Sequence, residues 1–244
     1  MIEELILAVV QGITEFLPIS SSGHLSLISN LISEPDLFFM VTLHFASLIA
    51  VLVFLRKDLF EFKKIKDKKI QKKIKYIFLG ILPAGLFGFF FSNLVESTLT
   101  NFLFLGSGFL LTTLFLFSTK LKKGHLKINA RNSFLIGLVQ VLALFPGVSR
   151  SGVTTSFAIF KKINPLEAGK FSFLIFIPLM FGALFSEISN FYFNWTILFS
   201  FLICFMVSLF SLNLFFRIIK KGNFWLFGFW TIAMSFLSFY LYFS

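Results

Sequence analysis

Two short stretches of this chain put an acid, hydroxyls and basic groups inside apolar surroundings. The first reads Gln11-Gly-Ile-Thr-Glu15-Phe-Leu-Pro18-Ile-Ser20-Ser21-Ser22-Gly23-His24. The second reads Pro146-Gly-Val-Ser149-Arg150-Ser151-Gly152, followed by Thr154 and Thr155. A guanidinium at membrane depth costs several kcal/mol unless it is paired. Hydroxyls and glycines at the start of a helix leave backbone N–H groups free for an anion, and an arginine adds a fork of donors. The plainer reading of Arg150 is a snorkelling side chain at a helix boundary. Gln11 and Glu15 stand four apart and share one helix face. Glu15 falls at that helix's C-terminal end, where the macrodipole disfavours a carboxylate. A buried acid so placed is a candidate metal ligand or general base, with a structural ion pair to Arg150 as the alternative. His24, in the first turn of the next helix, is a candidate acid, base or nucleophile beside Ser20, Ser21 and Ser22. Its alternative is a hydrogen-bonded structural role.

The two tips are complementary. One offers a carboxylate, an imidazole and hydroxyls; the other offers a guanidinium and hydroxyls. Such a pair suits an anion of several charges, a diphosphate for example, with an adjacent divalent cation. The chain has no Walker lysine loop, no HExxH and no Rossmann glycine pattern. His44, mid-span, either faces this cavity or packs structurally, and His125 lies in a basic, solvated loop.

The elements that hold these tips must be membrane helices. The chain has 244 residues, of which 57% are hydrophobic and 40 are Phe. A soluble domain cannot hide that much apolar surface. The acidic start, Met1-Ile2-Glu3-Glu4, is unlike the basic n-region of a cleaved leader. The one cysteine, Cys204, excludes an intrachain disulfide and a thiolate metal cluster. Apolar runs at 38–55, 76–92, 102–118, 169–188, 196–216 and 224–243 read as six spans. The basic segments 56–75, 119–132, 161–170 and 217–221 hold every Lys and Arg except Arg150. Glu3, Glu4, Glu34, Asp36, Glu96 and Glu187 fall on the opposite side. The basic segments are therefore cytoplasmic and serve topology and anionic headgroups rather than nucleic acid.

Both flanks of 133–160 are basic, so this segment should enter and leave on the cytoplasmic side. About 28 residues cannot make two spans, and a re-entrant helical hairpin is the natural solution. The first segment repeats it. Aligning Gln11 with Gln140 also matches Phe16 with Phe145, Ser20 with Ser149, Ser21 with Arg150, Ser22 with Ser151 and Gly23 with Gly152. The expected architecture is an all-α polytopic membrane protein of one domain, 1–244. Six spanning helices and two re-entrant hairpins form an inverted-topology repeat, about 1–118 and 133–244, joined by a basic cytoplasmic loop. Both termini are then exterior.

At this point the chain resembles the undecaprenyl-diphosphate phosphatase family of the bacitracin-resistance type. The family's Glu/Gln-x-x-x-Glu motif, with a following proline and Ser-Ser-Ser/Thr-Gly-His, matches Gln11–Glu15 and Pro18–His24. Its Pro-Gly-x-Ser-Arg-Ser-Gly motif, with threonine close behind, matches Pro146–Gly152 and Thr154. Phe171-Ser172-Phe173 and Pro178 match a third segment. His44 and Ala46 depart from the family's more frequent Gln and Gly. The resemblance implies removal of the terminal phosphate from a C55 polyprenyl diphosphate, recycling the lipid carrier of cell-wall glycan synthesis, with a divalent cation (Mg²⁺ or Ca²⁺). It implies catalytic roles for Glu15, Ser21, His24 and Arg150, and cation ligation by Gln11 and Glu15. Substrate contacts are expected from Ser20, Ser22, Gly23, Ser149, Ser151, Gly152 and Thr154. The expected partners are the lipid substrate and the bilayer, with a homodimer as the assembly allowed and no nucleic acid. The expected location is the bacterial cytoplasmic (inner) membrane, with the site open to the exterior. A transporter or flippase of polyprenyl phosphates is the alternative, since broken midplane helices also build transporters; a re-entrant channel is a weaker third.

Overall fold

The computed structural model describes residues 2–29, 37–99, 101–120, 124–186 and 194–244. Glu34, Asp36 and Glu187, and Lys122 and Lys123, whose sides were assigned from charge, lie outside the described residues. The described chain is helical, with one isolated bridge between Leu126 and Ile163. In hydrocarbon each backbone donor and acceptor must be satisfied within its own segment, and a helix does this.

The helices in order are α1 (Ile2–Thr14), α2 (Ser21–Ser29), α3 (Leu37–Phe54), α4 (Arg56–Phe60), α5 (Lys68–Phe90), α6 (Ser92–Glu96), α7 (Phe102–Phe117), α8 (Ala130–Gln140), α9 (Arg150–Phe160), α10 (Pro165–Ser186), α11 (Trp195–Lys221) and α12 (Phe227–Phe243). Four stretches are long and apolar enough to cross a membrane: Lys68–Phe90, Pro165–Gly182, Trp195–Lys221 and Phe224–Phe243. α3 and the segment Arg56–Lys63, bent by 70°, make a fifth if they are one broken span. α7 has 16 residues; at about 24 Å it is shorter than the ~30 Å hydrocarbon core. Asn101 caps it, accepting from Leu103 N, and the Ser118 and Thr119 hydroxyls bond back to its last turn. Residues 68–75, read as part of the basic segment before the span at 76–92, form the first two turns of α5. Asp67 accepts from Lys69 N at 2.8 Å, and Lys and Gln are good helix formers once a cap nucleates the turn.

Large apolar side chains cover the outside, among them Phe78, Phe89, Phe90, Phe210 and Phe236. In water these would be a liability; against lipid they cost nothing. Inside, Phe16, Phe173 and Phe215 stack edge to face, with centroids 5.6 and 5.0 Å apart. Helices early in the chain pack against helices late in it. α1 lies against α11, α8 lies against α5, and α7 lies against α12.

The ends of the second interrupted segment stand side by side. His125 N and Leu126 N donate to Lys162 O, and Asn164 N donates to Leu126 O, all at 2.9 Å. Glu167 accepts from Ile128 N at 2.9 Å. The turn between α8 and α9 leans on α7. Gly147 has φ +79°, which favours glycine. A Cβ at Gly108 would overlap the Pro146 carbonyl, and one at Gly147 the Leu105 carbonyl. These neighbours are backbone and cannot swing aside. Gly108→Ala should therefore lower unfolding stability in detergent by about 1–3 kcal/mol, the scale of overpacking. Gly182→Ala, where nothing lies within 4 Å, is the matched control. Equal melting of both variants would defeat the close packing of α7 on the turn.

Candidate functional site

Each interruption is built from the same local chemistry. Ser20 Oγ accepts from Gly23 N at 3.2 Å, and Ser149 Oγ accepts from Gly152 N at 3.1 Å. Each serine also contacts the hydroxyl two residues on, Ser22 or Ser151, at 3.3 Å. Both are N-caps, and they are needed because the helix starts are buried. α7 adds a support that sequence reasoning missed: Thr112 Oγ1 accepts from Ser149 N at 2.9 Å and donates to Gly147 O at 3.2 Å. Ser151 Oγ donates to Leu17 O at 3.4 Å, joining one turn to the other.

Glu15 and Arg150 meet between the turns. Glu15 Oε1 lies 3.5 Å from Arg150 Nη2, with the two side chains 7% and 14% exposed. Glu15 Oε2 accepts from Ser21 Oγ at 2.7 Å and from Gln11 Nε2 at 3.1 Å. Arg150 Nη1 donates to Ser172 O at 3.3 Å, and its guanidinium sits 3.9 Å from the Phe176 ring centroid. A desolvated guanidinium over an aromatic face is favourable. Thr154 Oγ1 donates to Arg150 O and also pairs with Ser172 Oγ, each at 2.7 Å. Ser172 was legible as part of the third motif, but its grip on Arg150 was not. Phe176 carried no signal beyond being one Phe among many.

A cavity of about 830 Å³ opens over this pair. Glu15, Ser20, Ser21, Ser22, Ser149 and Arg150 line it, together with His44. Gln11 sits behind Glu15. Gly23, Ser151, Gly152 and Thr154 shape the turns and do not line the cavity. His44 Nδ1 is 2.9 Å from Gln11 Nε2 and 3.7 Å from Glu15 Oε2. The two amide hydrogens of Gln11 thus serve Glu15 and His44, while its Oε1 is buried without a partner.

His24 is turned elsewhere. Its Nδ1 lies 2.8 Å from Ser20 O, which can only accept, so Nδ1 carries the proton. Its Nε2 accepts from Trp230 Nε1 at 2.9 Å. The two rings are stacked at 9°, and Phe109 meets His24 edge-on. Both nitrogens are engaged, and the imidazole does not line the cavity. Among the described residues no three His, Cys, Asp or Glu side chains converge as a metal cluster. The arrangement can bind an anion with Arg150 and two helix starts, and can take a proton from Ser21 at Glu15.

The family model for bacitracin resistance protein BacA matches residues 4–237. An undecaprenyl-diphosphatase of Methanococcus maripaludis is 37% identical over 96% of this chain and 97% of its own length. One of Thermosipho africanus is 36% identical over 97% of this chain and 98% of its own. One of Methanococcus vannielii is 33% identical over 98% of this chain and all of its own.

The His24–Trp230 bond joins the first turn to α12. Trp230→Phe keeps a ring there and removes the donor, leaving Nε2 unpaired. The expected loss is about 1–3 kcal/mol of stability, the cost of a buried unsatisfied group. Unchanged unfolding in detergent would count against this brace.

Proposed function

The chain belongs to the bacitracin resistance protein BacA family, and we propose that its cavity removes the terminal phosphate from undecaprenyl diphosphate, releasing the monophosphate and inorganic phosphate. The observation that carries this is the Glu15–Arg150 pair, closed over one cavity by two capped helix starts. The names of the relatives are those of diphosphatases, and the transporter reading gains no support from them.

The diphosphate enters where α2 and α9 begin. Arg150 has five N–H groups; Ser172 and Glu15 engage two of them, and the rest meet phosphate oxygens. Free N–H groups of the two helix starts add donors as negative charge moves to the leaving oxygen. Ser21 Oγ attacks the terminal phosphorus, Glu15 Oε2 takes its proton, and the polyprenyl monophosphate departs. Water then cleaves the serine phosphate and releases inorganic phosphate. His24 holds the Ser20–Gly23 turn in place rather than joining the reaction.

A divalent cation fits the donors present. Glu15 supplies a carboxylate, Ser21 a hydroxyl, and Gln11 an amide oxygen with no partner. Turned toward Glu15, that amide oxygen would join the carboxylate as a ligand. Hard oxygen donors with one carboxylate, completed by substrate phosphates, suit Mg²⁺ or Ca²⁺. Gln11 and Glu15 would hold the ion, which supplies charge neutralisation at the phosphates.

The architecture we propose is the inverted repeat. The bonds between residues 125–126 and 162–164 support a hairpin that enters and leaves on one side, and the crosswise packing of α1 on α11 and α8 on α5 supports two halves that exchange their hairpins. The membrane is the cytoplasmic one. The basic segments lie inside and the cavity, at the far ends of α5 and α10, opens to the exterior.

Phosphate release from a C55 diphosphate, in detergent with Mg²⁺ or Ca²⁺, tests the reaction. Glu15→Gln should abolish it with the fold retained. Arg150→Lys keeps the charge but loses the planar fork, and turnover should fall on the order of 10²-fold. An Arg150→Lys enzyme within about threefold of wild type would show that charge alone suffices. The topology is checked by impermeant thiol labelling of single cysteines after Cys204→Ala. A cysteine at 161 should stay unlabelled in intact cells; labelling there would defeat the second re-entrant hairpin.

A further inference from the structure

α11 seats both of the helices that carry His44 and Gln11. On the α3 side, Cys204 Sγ donates to Leu43 O at 3.4 Å, and Ser47 Oγ lies 3.3 Å from Ser208 Oγ. Leu43 and Ser47, on either side of His44, are fully buried. On the α1 side, a Cβ at Gly12 would stand 2.9 Å from Cys204 O and from Val207 Cβ. The same stretch of α11 therefore fixes α3 next to His44 and α1 next to Gln11. Side chains carried on packed helices hold their geometry better than side chains on loops.

Three donors meet where these helices converge. Gln11 Nε2 can only donate, so His44 Nδ1, 2.9 Å away, turns a lone pair toward it. The same Nε2 donates to Glu15 Oε2 at 3.1 Å. Two lone pairs thus converge on one positive group, from atoms 3.7 Å apart. Two ligands of one ion, with bonds of about 2.1 Å at angles from square to trigonal, stand roughly 3.0–3.6 Å apart. Gln11 is fully buried, and its Oε1 has no partner. Turned about its last bond, the amide would offer that oxygen where its nitrogen now stands. His44, with 30% of its side chain exposed, lines the cavity, so an ion reaches it from solvent.

We propose that His44 is a third ligand of the divalent cation, through Nδ1, and that it gives this site a preference for a first-row transition ion over Ca²⁺. This rests on the cation placed at Gln11 and Glu15 under the diphosphatase reading, and adds to it a ligand and a metal preference. A set of oxygen donors alone suits Mg²⁺ or Ca²⁺. An imidazole nitrogen suits first-row transition ions, whereas Ca²⁺ takes oxygen. Imidazole is also a neutral ligand. With one carboxylate in the set, the ion keeps positive charge for the phosphates. A hydrogen bond to Gln11 accounts for the position of Nδ1, but it leaves the oxygen of the same amide unpaired.

The test is made on tag-free protein in detergent without substrate, so it does not depend on turnover. Mn²⁺ is the probe, because its electron spin reports a directly bound nitrogen. Pulsed EPR should show nitrogen coupling in the wild type and none in His44→Gln. The Ca²⁺ needed to displace half of the Mn²⁺ should fall about tenfold or more in His44→Gln, which replaces nitrogen by oxygen. His44→Phe, with no donor, should bind Mn²⁺ about tenfold or more weakly. Thermal unfolding without metal reports that both variants fold. Mn²⁺ bound to the wild type without nitrogen coupling, the same coupling in His44→Gln, or no Mn²⁺ bound at all would each overturn the assignment of His44. Phosphate release from a C55 diphosphate is followed in parallel with Mg²⁺, Ca²⁺ and Mn²⁺. Release without nitrogen coupling overturns the His44 ligand alone. Nitrogen-coupled Mn²⁺ with no release under any cation keeps the ligand and defeats the diphosphatase reading.

Discussion

A guanidinium held in an apolar layer requires an anion, and in this chain the anion comes from the other half of the sequence. Arg150 meets Glu15 at 3.5 Å, and the rest of the site follows from bringing them together. Arg150 opens α9 and Glu15 closes α1, so both turns must reach the same depth. Backbone at that depth has no water to satisfy it. Ser20, Ser149 and Thr112 supply the missing partners from side chains. The pair is held loosely enough to accept a third party: Glu15 also binds Ser21 and Gln11, and Arg150 also binds the Ser172 carbonyl. A tighter bidentate pair would be a better structural bridge and a poorer receptor.

The features that could be read from the sequence are those whose causes are local. Ser20 with Gly23 and Ser149 with Gly152 announce helix starts at equal spacing, and both caps form. Glu15 was conspicuous because a lone acid in an apolar run needs a partner, and Arg150 was the free base. The contacts of His24 were hidden for the opposite reason. Its neighbours in sequence are hydroxyls and an acid, but its decisive partner, Trp230, is 206 residues away. Phe176 was equally hidden, since forty Phe residues give no ground for choosing one. The start of α5 was masked by charge. Lysines look like loop in a hydropathy reading, yet a capped run of Lys and Gln is a good helix that carries the span out of the bilayer.

Buried amide oxygens without partners are costly, about 1–3 kcal/mol each. Gln11 and Gln140, aligned in the two halves, both have one. The amide nitrogens are used, by Glu15 and His44 in one half and by the Gly80 carbonyl in the other, but the oxygens are not. Gln11 borders the carboxylate, and Gln140 lines the cavity wall. An unpaired acceptor kept in both halves fits a site whose filled state brings a donor or a cation.

The aligned position that differs most is the one at the centre of each tip, Ser21 in the first and Arg150 in the second. Two arginines there would repel each other in a medium that screens poorly. Two serines would leave a diphosphate without a counter-charge. With one of each, the first half keeps a hydroxyl next to Glu15, and the second half supplies the charge that offsets both Glu15 and the phosphates. On the proposed reaction the two helix starts are therefore alike in how they bind an anion and unlike in what they do to it. A symmetric scaffold can bring two helix starts to one point. On that reaction, the difference between Ser21 and Arg150 divides attack from charge stabilisation between them.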